Sequence, residues 1–270
     1  MKIACIQPEL MLKREKCYSE IERLMKQLFK THDQCDIACL PERWIPFSED
    51  IPQNFQKERG EDYLFVKELS KKYRVNLLSG GIWEKRNHSK KPVITCYFFN
   101  NKGEEIGRQD KIHLYSYERQ HFEPGDTLNI FKINDYYFSI LICFDMAFYE
   151  TPRLAAENGA DLLFSPTQIR DEGLINWKIY LQARALESRI PVAACNTIGS
   201  IQERSFPGNS KIISFIKGYI TPSKLKIVEG PINSSGFVYD DIDLKYPRKL
   251  RKNRLKEKID KDTINVRKII

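Results

Sequence analysis

Phe138-Ser139-Ile140-Leu141-Ile142-Cys143-Phe144-Asp145 and, shortly after it, Gly159-Ala160-Asp161-Leu162-Leu163-Phe164-Ser165-Pro166-Thr167 decide how this chain folds. Each contains a short, nearly continuous apolar run, the mark of a strand buried on both faces rather than half-exposed. Each run also ends in a polar or reactive residue at a turn. A helix starting near Tyr149 is expected between them, so the pair makes a parallel strand-helix-strand unit.

The same alternation continues in both directions. Further apolar runs cover Ile3 to Gln7, Ile37 to Leu40, Asn76 to Ser79 and Val192 to Asn196. Between them lie amphipathic stretches: Lys16 to Lys30 with Ile21, Leu24, Met25 and Leu28 on one stripe, Tyr63 to Tyr73 with Leu64, Phe65 and Leu69, and Trp177 to Ser188 with Tyr180, Leu181 and Leu186. Two hairpins interrupt the pattern. Val93 to Asn100 runs through Asn101-Lys102-Gly103 into a short strand, and Leu128 to Ile133 turns at Asn134-Asp135 into Tyr136 to Ile142. The expected class is therefore α/β, a mixed sheet system with helices outside. No linker, repeat or low-complexity segment divides the chain, so a single domain is expected. Ser200 to Ser235, which mixes Pro207, Gly208, Pro222, Gly230 and Pro231 with short apolar pieces, is the hardest segment to read.

Of the 270 residues, 41% are hydrophobic and 30% charged, and no apolar run approaches the roughly 20 residues a spanning helix requires. That excludes an integral membrane protein, and no membrane partner is expected. No basic and apolar leader precedes the Ile3-Ala4-Cys5-Ile6 strand, so a cytoplasmic location is expected. The seven cysteines, at 5, 17, 35, 39, 96, 143 and 195, are an odd set with no CxxC pair, which points to free thiols rather than disulfides or zinc. The net charge of +8 resides in the C-terminal segment: Lys245 to Lys268 holds eleven Lys or Arg against Glu257, Asp260 and Asp262, which accounts for the whole excess. No nucleic-acid-binding signature accompanies it, and no nucleic acid partner is expected. A solvated, partner-contacting tail is the simplest reading, with weak polyanion binding as the alternative.

Four apolar runs end in a way that packing leaves unexplained: Leu40-Pro41-Glu42, Ile142-Cys143-Phe144-Asp145, Phe164-Ser165-Pro166-Thr167 and Ala194-Cys195-Asn196. In α/β sheets the C-terminal strand edge is where ligands bind. A sharp turn at Cys143 would lift its sulfur out of the sheet, although a free cysteine also serves as a small buried hydrophobe. A nucleophilic cysteine must lose its proton, and at a pKa of roughly 8.5 the thiolate deficit at neutral pH is about 2 kcal/mol. None of the four histidines, His32, His88, His113 and His121, ends an apolar run as a buried base would. A lysine such as Lys111 would stabilise thiolate and oxyanion, and a carboxylate such as Glu42 would take the proton. From the residues alone both readings of Cys143 stay open.

Taken together, these segments resemble the nitrilase superfamily of carbon–nitrogen hydrolases. The likeness rests on Leu40-Pro41-Glu42, on Lys111-Ile112-His113-Leu114 and on Cys143-Phe144-Asp145 running into Phe148-Tyr149-Glu150. It is supported by Glu118 to Gly125 (ERQHFEPG), Gly159 to Thr167 (GADLLFSPT), Ala183 to Ser188 (ARALES), Val192 to Gly199 (VAACNTIG) and Phe206 to Ser210 (FPGNS). It extends from Met1 to about Asp243, which sets expected bounds of 1–244 for a hydrolase domain and 245–270 for a basic tail extending it.

The resemblance implies an α-β-β-α sandwich and hydrolysis of a small non-peptide amide or N-carbamoyl compound, without metal or organic cofactor. Cys143 would form a thioester, Glu42 would act as general base and acid, Lys111 would hold the oxyanion, and Glu118 would position substrate and lysine. Asp145, where nitrile-cleaving members typically have Glu, favours an amide over a nitrile. Ala147 stands where many amidase-like members have Arg, which leaves a substrate carboxylate without that partner. Candidate pocket walls are Tyr115, Tyr117, Phe144, Phe148, Gln168, Ile169 and Arg170. A homodimer or larger assembly paired through helical faces is expected. The alternatives are nitrile hydrolysis or acyl transfer on the same triad, a Cys-His hydrolase using His113 or His121, and a catalytically silent binding protein on this fold.

Overall fold

The computed structural model describes residues 1–46, 48, 50–201, 203–259 and 263–269. In its N-terminal half the elements run β1 (Lys2–Gln7), α1 (Arg14–Thr31), β2 (Ile37–Cys39), β3 (Gln56–Lys57), α2 (Glu61–Tyr73), β4 (Asn76–Leu78), β5 (Ile82–Lys85), β6 (Val93–Phe99) and β7 (Glu105–Asp110). Then come α3 (Glu118–His121), β8 (Ile130–Ile133), β9 (Tyr136–Ile140), α4 (Glu150–Glu157), β10 (Leu162–Pro166), α5 (Leu174–Ser188) and β11 (Val192–Cys195). The C-terminal part adds β12 (Ile198–Ile201), β13 (Arg204–Pro207), β14 (Lys211–Phe215), β15 (Leu225–Glu229), β16 (Gly236–Asp241) and α6 (Lys245–Lys256).

Alternation of side chains along each strand builds the layers. On β1, Ile3 and Cys5 point into an inner core with Phe98, Phe138, Phe164 and Cys195, while Ala4 and Ile6 face Ile21, Leu24, Met25 and Leu28 of α1. The first sheet has the order β16-β1-β2-β4-β6-β5-β3 with β7 on β6, and the second runs β15-β14-β11-β10-β9-β8. Leu141, Leu163 and Ala194 turn from the second sheet toward Trp177, Leu181 and Ala185 of α5. Helix, sheet, sheet and helix layers follow directly, as expected. Within the sheets β1, β2 and β4 are parallel, as are β9, β10 and β11. The chain therefore leaves β2, β9, β10 and β11 at corresponding ends, where Glu42, Cys143, Thr167 and Asn196 stand.

Two helix stripes differ from the sequence reading. Helix α2 buries Tyr63, Val66, Leu69 and Ser70 while Leu64 is 52% exposed. Helix α5 buries Trp177, Leu181, Arg184, Ala185 and Ser188, and Tyr180 faces outward. In both, polar groups with hydrogen-bond partners occupy inward positions: the Ser70 hydroxyl donates to the Val75 carbonyl at 3.0 Å, and Arg184 donates to backbone carbonyls. Residues 245–256, read as a solvated tail, form α6 with Pro247, Leu250 and Arg251 buried against the body. Of the remaining tail, 260–262 and 270 lie outside the described residues.

Candidate active site

The turn after β9 is built to present one atom. Cys143 adopts φ of 46°, left-handed backbone that a non-glycine residue occupies at a cost, and opens a 3₁₀ segment, Cys143–Ala147. The Asp145 carboxylate fastens that turn, accepting from the Ile142 N–H at 2.9 Å and the His113 N–H at 2.7 Å. The Thr151 hydroxyl donates to the Asp145 carbonyl, and Arg184 donates to the carbonyls of Met146 and Ala147 at 3.3 and 3.1 Å. The arginine of the ARALES motif thus buttresses the loop behind Cys143.

Glu42 and Lys111 are held equally firmly through their backbones. The Glu42 N–H donates to the Thr167 carbonyl at 3.1 Å, and the Lys111 N–H to the Ile94 carbonyl at 2.8 Å. Gly80, at φ +67°, passes so close to the chain before Glu42 that a Cβ there would lie 1.9 Å from the Pro41 carbonyl oxygen. Only glycine fits both the angle and the approach.

Lys111 Nζ donates to Glu42 Oε1 at 2.7 Å and to the Glu118 carboxylate at 2.8 Å. Glu118 opens the short α3, and its other contact is the Tyr115 N–H at 2.7 Å. All three ionisable side chains are buried, with Lys111 only 1% exposed. Burial alone would lower the Lys111 ammonium pKa, but the Glu42 and Glu118 charges outweigh it and hold it well above the usual lysine range. Burial, with the Glu42 charge, pushes the Glu118 carboxyl up against the opposing pull of Lys111. Burial and the neighbouring Glu42 also push the Cys143 thiol well above its ordinary value, while Lys111 and the Gln168 N–H pull the other way.

Glu42, Lys111, Glu118 and Cys143 line one cavity of about 510 Å³, and Tyr115, Tyr117, Phe144, Gln168, Ile169 and Arg170 stand in its walls. Phe148 does not. Its ring stacks on His113 with centroids 4.3 Å apart and lines a neighbouring cavity, because the 3₁₀ turn carries it past the mouth. Phe144 borders both cavities. Sequence reading missed Arg43, Trp83, Trp177, Arg204 and Phe206 in the walls of the first. Phe206 belongs to the FPGNS motif, and Arg43 follows Glu42 directly, but nothing local marked Trp83 or Arg204. His113 is tied to Asp145, with its Nδ1 3.1 Å from Oδ1, and faces the neighbouring cavity.

A family model, Carbon-nitrogen hydrolase, matches residues 2–252. A probable nitrilase of Schizosaccharomyces pombe is 32% identical over 194 residues, covering 72% of this chain and 69% of the relative. A 2-oxoglutaramate amidase of Bacillus subtilis is 28% identical, covering 83% of this chain and 84% of the relative. Among solved structures, Saccharomyces cerevisiae Nit3, a member of branch 10 of the nitrilase superfamily, superposes with a TM-score of 0.81 at 21% identity, covering 94% of this chain and 93% of that one.

Proposed function

The chain belongs to the carbon–nitrogen hydrolase family, and from that premise we propose that it hydrolyses a small non-peptide amide to acid and amine or ammonia through a thioester on Cys143. The observation that carries this reading is the Lys111 ammonium held between two buried carboxylates in the cavity that Cys143 enters. Glu42 takes the thiol proton as Sγ bonds to the carbonyl carbon. The developing oxyanion is met by the Lys111 ammonium, and the Phe144 N–H is the second donor. Glu42 then gives its proton to the departing amine and the C–N bond breaks. Water enters, loses a proton to Glu42 and attacks the thioester; the acid leaves and the sulfur regains a proton. Glu118, its carboxyl raised by burial, fixes Lys111 in the reacting position.

Among the described residues, Arg170 and Arg204 line the cavity with Glu172, which pairs with Arg170 at 3.2 Å and is the acidic side chain there besides Glu42 and Glu118. They favour an acyl chain ending in a carboxylate and replace the arginine absent at Ala147. A dicarboxylic acid monoamide, like the substrate in the name of the Bacillus relative, fits this arrangement best, and an N-carbamoyl amino acid is the second reading. Tyr149, Leu154, Ile175 and Ile179 leave an exposed apolar face around α4 and α5, which supports a homodimer; light scattering behind size exclusion that returns only 31.7 kDa would refute it. The functional reading is tested by ammonia release over ω-amides, carbamoyl amino acids and aliphatic amides. Activity in wild type and its loss in Glu42→Gln are expected, and equal turnover by both proteins overturns the mechanism.

A further inference from the structure

Helix α6 has two faces with different tasks. One is fixed: Arg248 Nε and Arg251 Nη2 reach Asp161 Oδ1 at 2.8 and 2.6 Å, and Arg248 Nη2 reaches the Asp135 carbonyl at 2.8 Å. Asp161 precedes β10 and Asp135 precedes β9, so α6 is mounted at the strand ends opposite Cys143 and Thr167. The other face is a row. Lys245, Lys249, Lys252 and Lys256 are spaced i, i+4, i+7 and i+11, which places them on one stripe roughly 16 Å long, and all four are exposed.

That stripe has no internal partner among the described residues. Among the described residues, the ion pairs of α6 and its extension are Arg248 and Arg251 with Asp161, Arg254 with Glu257, and Lys258 with Glu157. No acidic residue occurs in KYPRKLRKNRLK, and lysine at the helix start opposes the helix dipole. Charges so placed do not serve the helix's own stability. Beyond it, Val266 and Ile269 are 90% and 91% exposed and flank Arg267 and Lys268.

We infer that this face docks the protein on an anionic lipid surface, with the lysine row over the headgroups and Val266 and Ile269 at the acyl boundary. Lysine is a compact, mobile point charge suited to a diffuse field of phosphates and carboxylates. Exposed aliphatic side chains gain from a bilayer boundary and nothing from a sugar-phosphate backbone. The one aromatic residue of α6, Tyr246, is half-buried with its hydroxyl donating to the Tyr219 carbonyl at 3.0 Å, and a single such ring is a poor platform for stacked bases. That no helix among the described residues is long and apolar enough to cross a membrane has no bearing on a surface of this kind, although the expectation of no membrane partner rested on it. Docking through α6 leaves the catalytic mouth, at the other end of β9 and β10, open to substrate.

The full chain is sedimented with phosphatidylcholine vesicles, with vesicles containing about one third phosphatidylserine, and titrated separately with a nucleic acid duplex. Binding to the anionic vesicles alone is expected, weakening more than tenfold when salt is raised toward 0.5 M. Each lysine near the surface contributes about fivefold, so Lys249→Glu/Lys252→Glu should lose at least ~25-fold in partitioning with circular dichroism and ammonia release unchanged. Val266→Ser/Ile269→Ser, which leaves the charge unaltered, should weaken binding without changing its salt dependence. Failure of wild type to bind anionic vesicles, an unchanged double lysine variant, or tighter binding to the duplex than to the vesicles each overturns the inference.

Discussion

Lys111 Nζ lies 2.7 Å from Glu42 Oε1 although the two residues are 69 positions apart in the chain. With Glu118 on its other side, the ammonium is the shared counter-charge of two carboxylates that have little access to water. Breaking such a unit from the cationic side leaves like charges facing each other in a poorly solvated pocket.

Lys111→Met is therefore expected to lower kcat/KM by about a thousandfold and to destabilise the fold by about 3–5 kcal/mol in urea unfolding. Adding Glu118→Gln should recover part of that stability and none of the activity. Restored turnover in the double variant would show that Lys111 only balances charge.

The pH profile distinguishes a base-assisted thiol from a standing thiolate. Because burial and Glu42 push the Cys143 thiol well above its usual range, kcat/KM should pass through pH 8 to 9 without the inflection that an ordinary thiol of about 8.5 produces. An inflection there would show a sulfur that titrates as an ordinary thiol, and one below neutral pH would place it as a standing thiolate.

Substrate charge is tested at the rim. Arg204→Gln and Arg170→Gln should each raise KM for a monoamide bearing a carboxylate by about fivefold, the magnitude of one exposed charge pair, and leave the corresponding neutral amide unchanged. Equal effects on both substrates would remove the arginines from recognition.

Asp161 ties α6 to the second sheet. Burial alone would raise its carboxyl, but the hydrogen bonds from Arg248, the Tyr137 N–H and Arg251 hold it below the usual range. Its contribution is present above the unfolded carboxylate pKa of about 3.9 and is lost as pH falls through the depressed folded value. Asp161→Asn should cost about 3–5 kcal/mol at neutral pH, and denaturant midpoints of wild type and variant should converge in acid. A constant gap between them would remove the ion pair from the explanation.

The layers were legible because strands buried on both faces leave continuous apolar runs, and Phe138 to Ile142, Leu162 to Ser165 and Val192 to Asn196 all became β9, β10 and β11 within a few residues. Glu42, Lys111, Glu118 and Cys143 were legible because each lies in a compact motif. Other features depend on contacts distant in sequence. The inward face of α2 carries Tyr63, Val66 and Leu69 with Ser70 bonded to the Val75 and Asn100 carbonyls, so of the apolar residues nominated Leu69 is buried and Leu64 is not. Arg204 comes to the cavity on the β12–β13 hairpin, within the segment whose prolines and glycines obscured any period. The basic tail looked solvated because its anchor, Asp161, lies 87 residues before Arg248.

The most direct test compares wild type, Cys143→Ala and His113→Ala/His121→Ala on the best substrate of the ammonia-release panel. Loss of at least a thousandfold in the cysteine variant, with the histidine variant within about tenfold of wild type, is the outcome that follows from a sulfur activated by carboxylate and lysine. Turnover that survives in Cys143→Ala, or that vanishes with the two imidazoles, would show that the reaction runs on other groups.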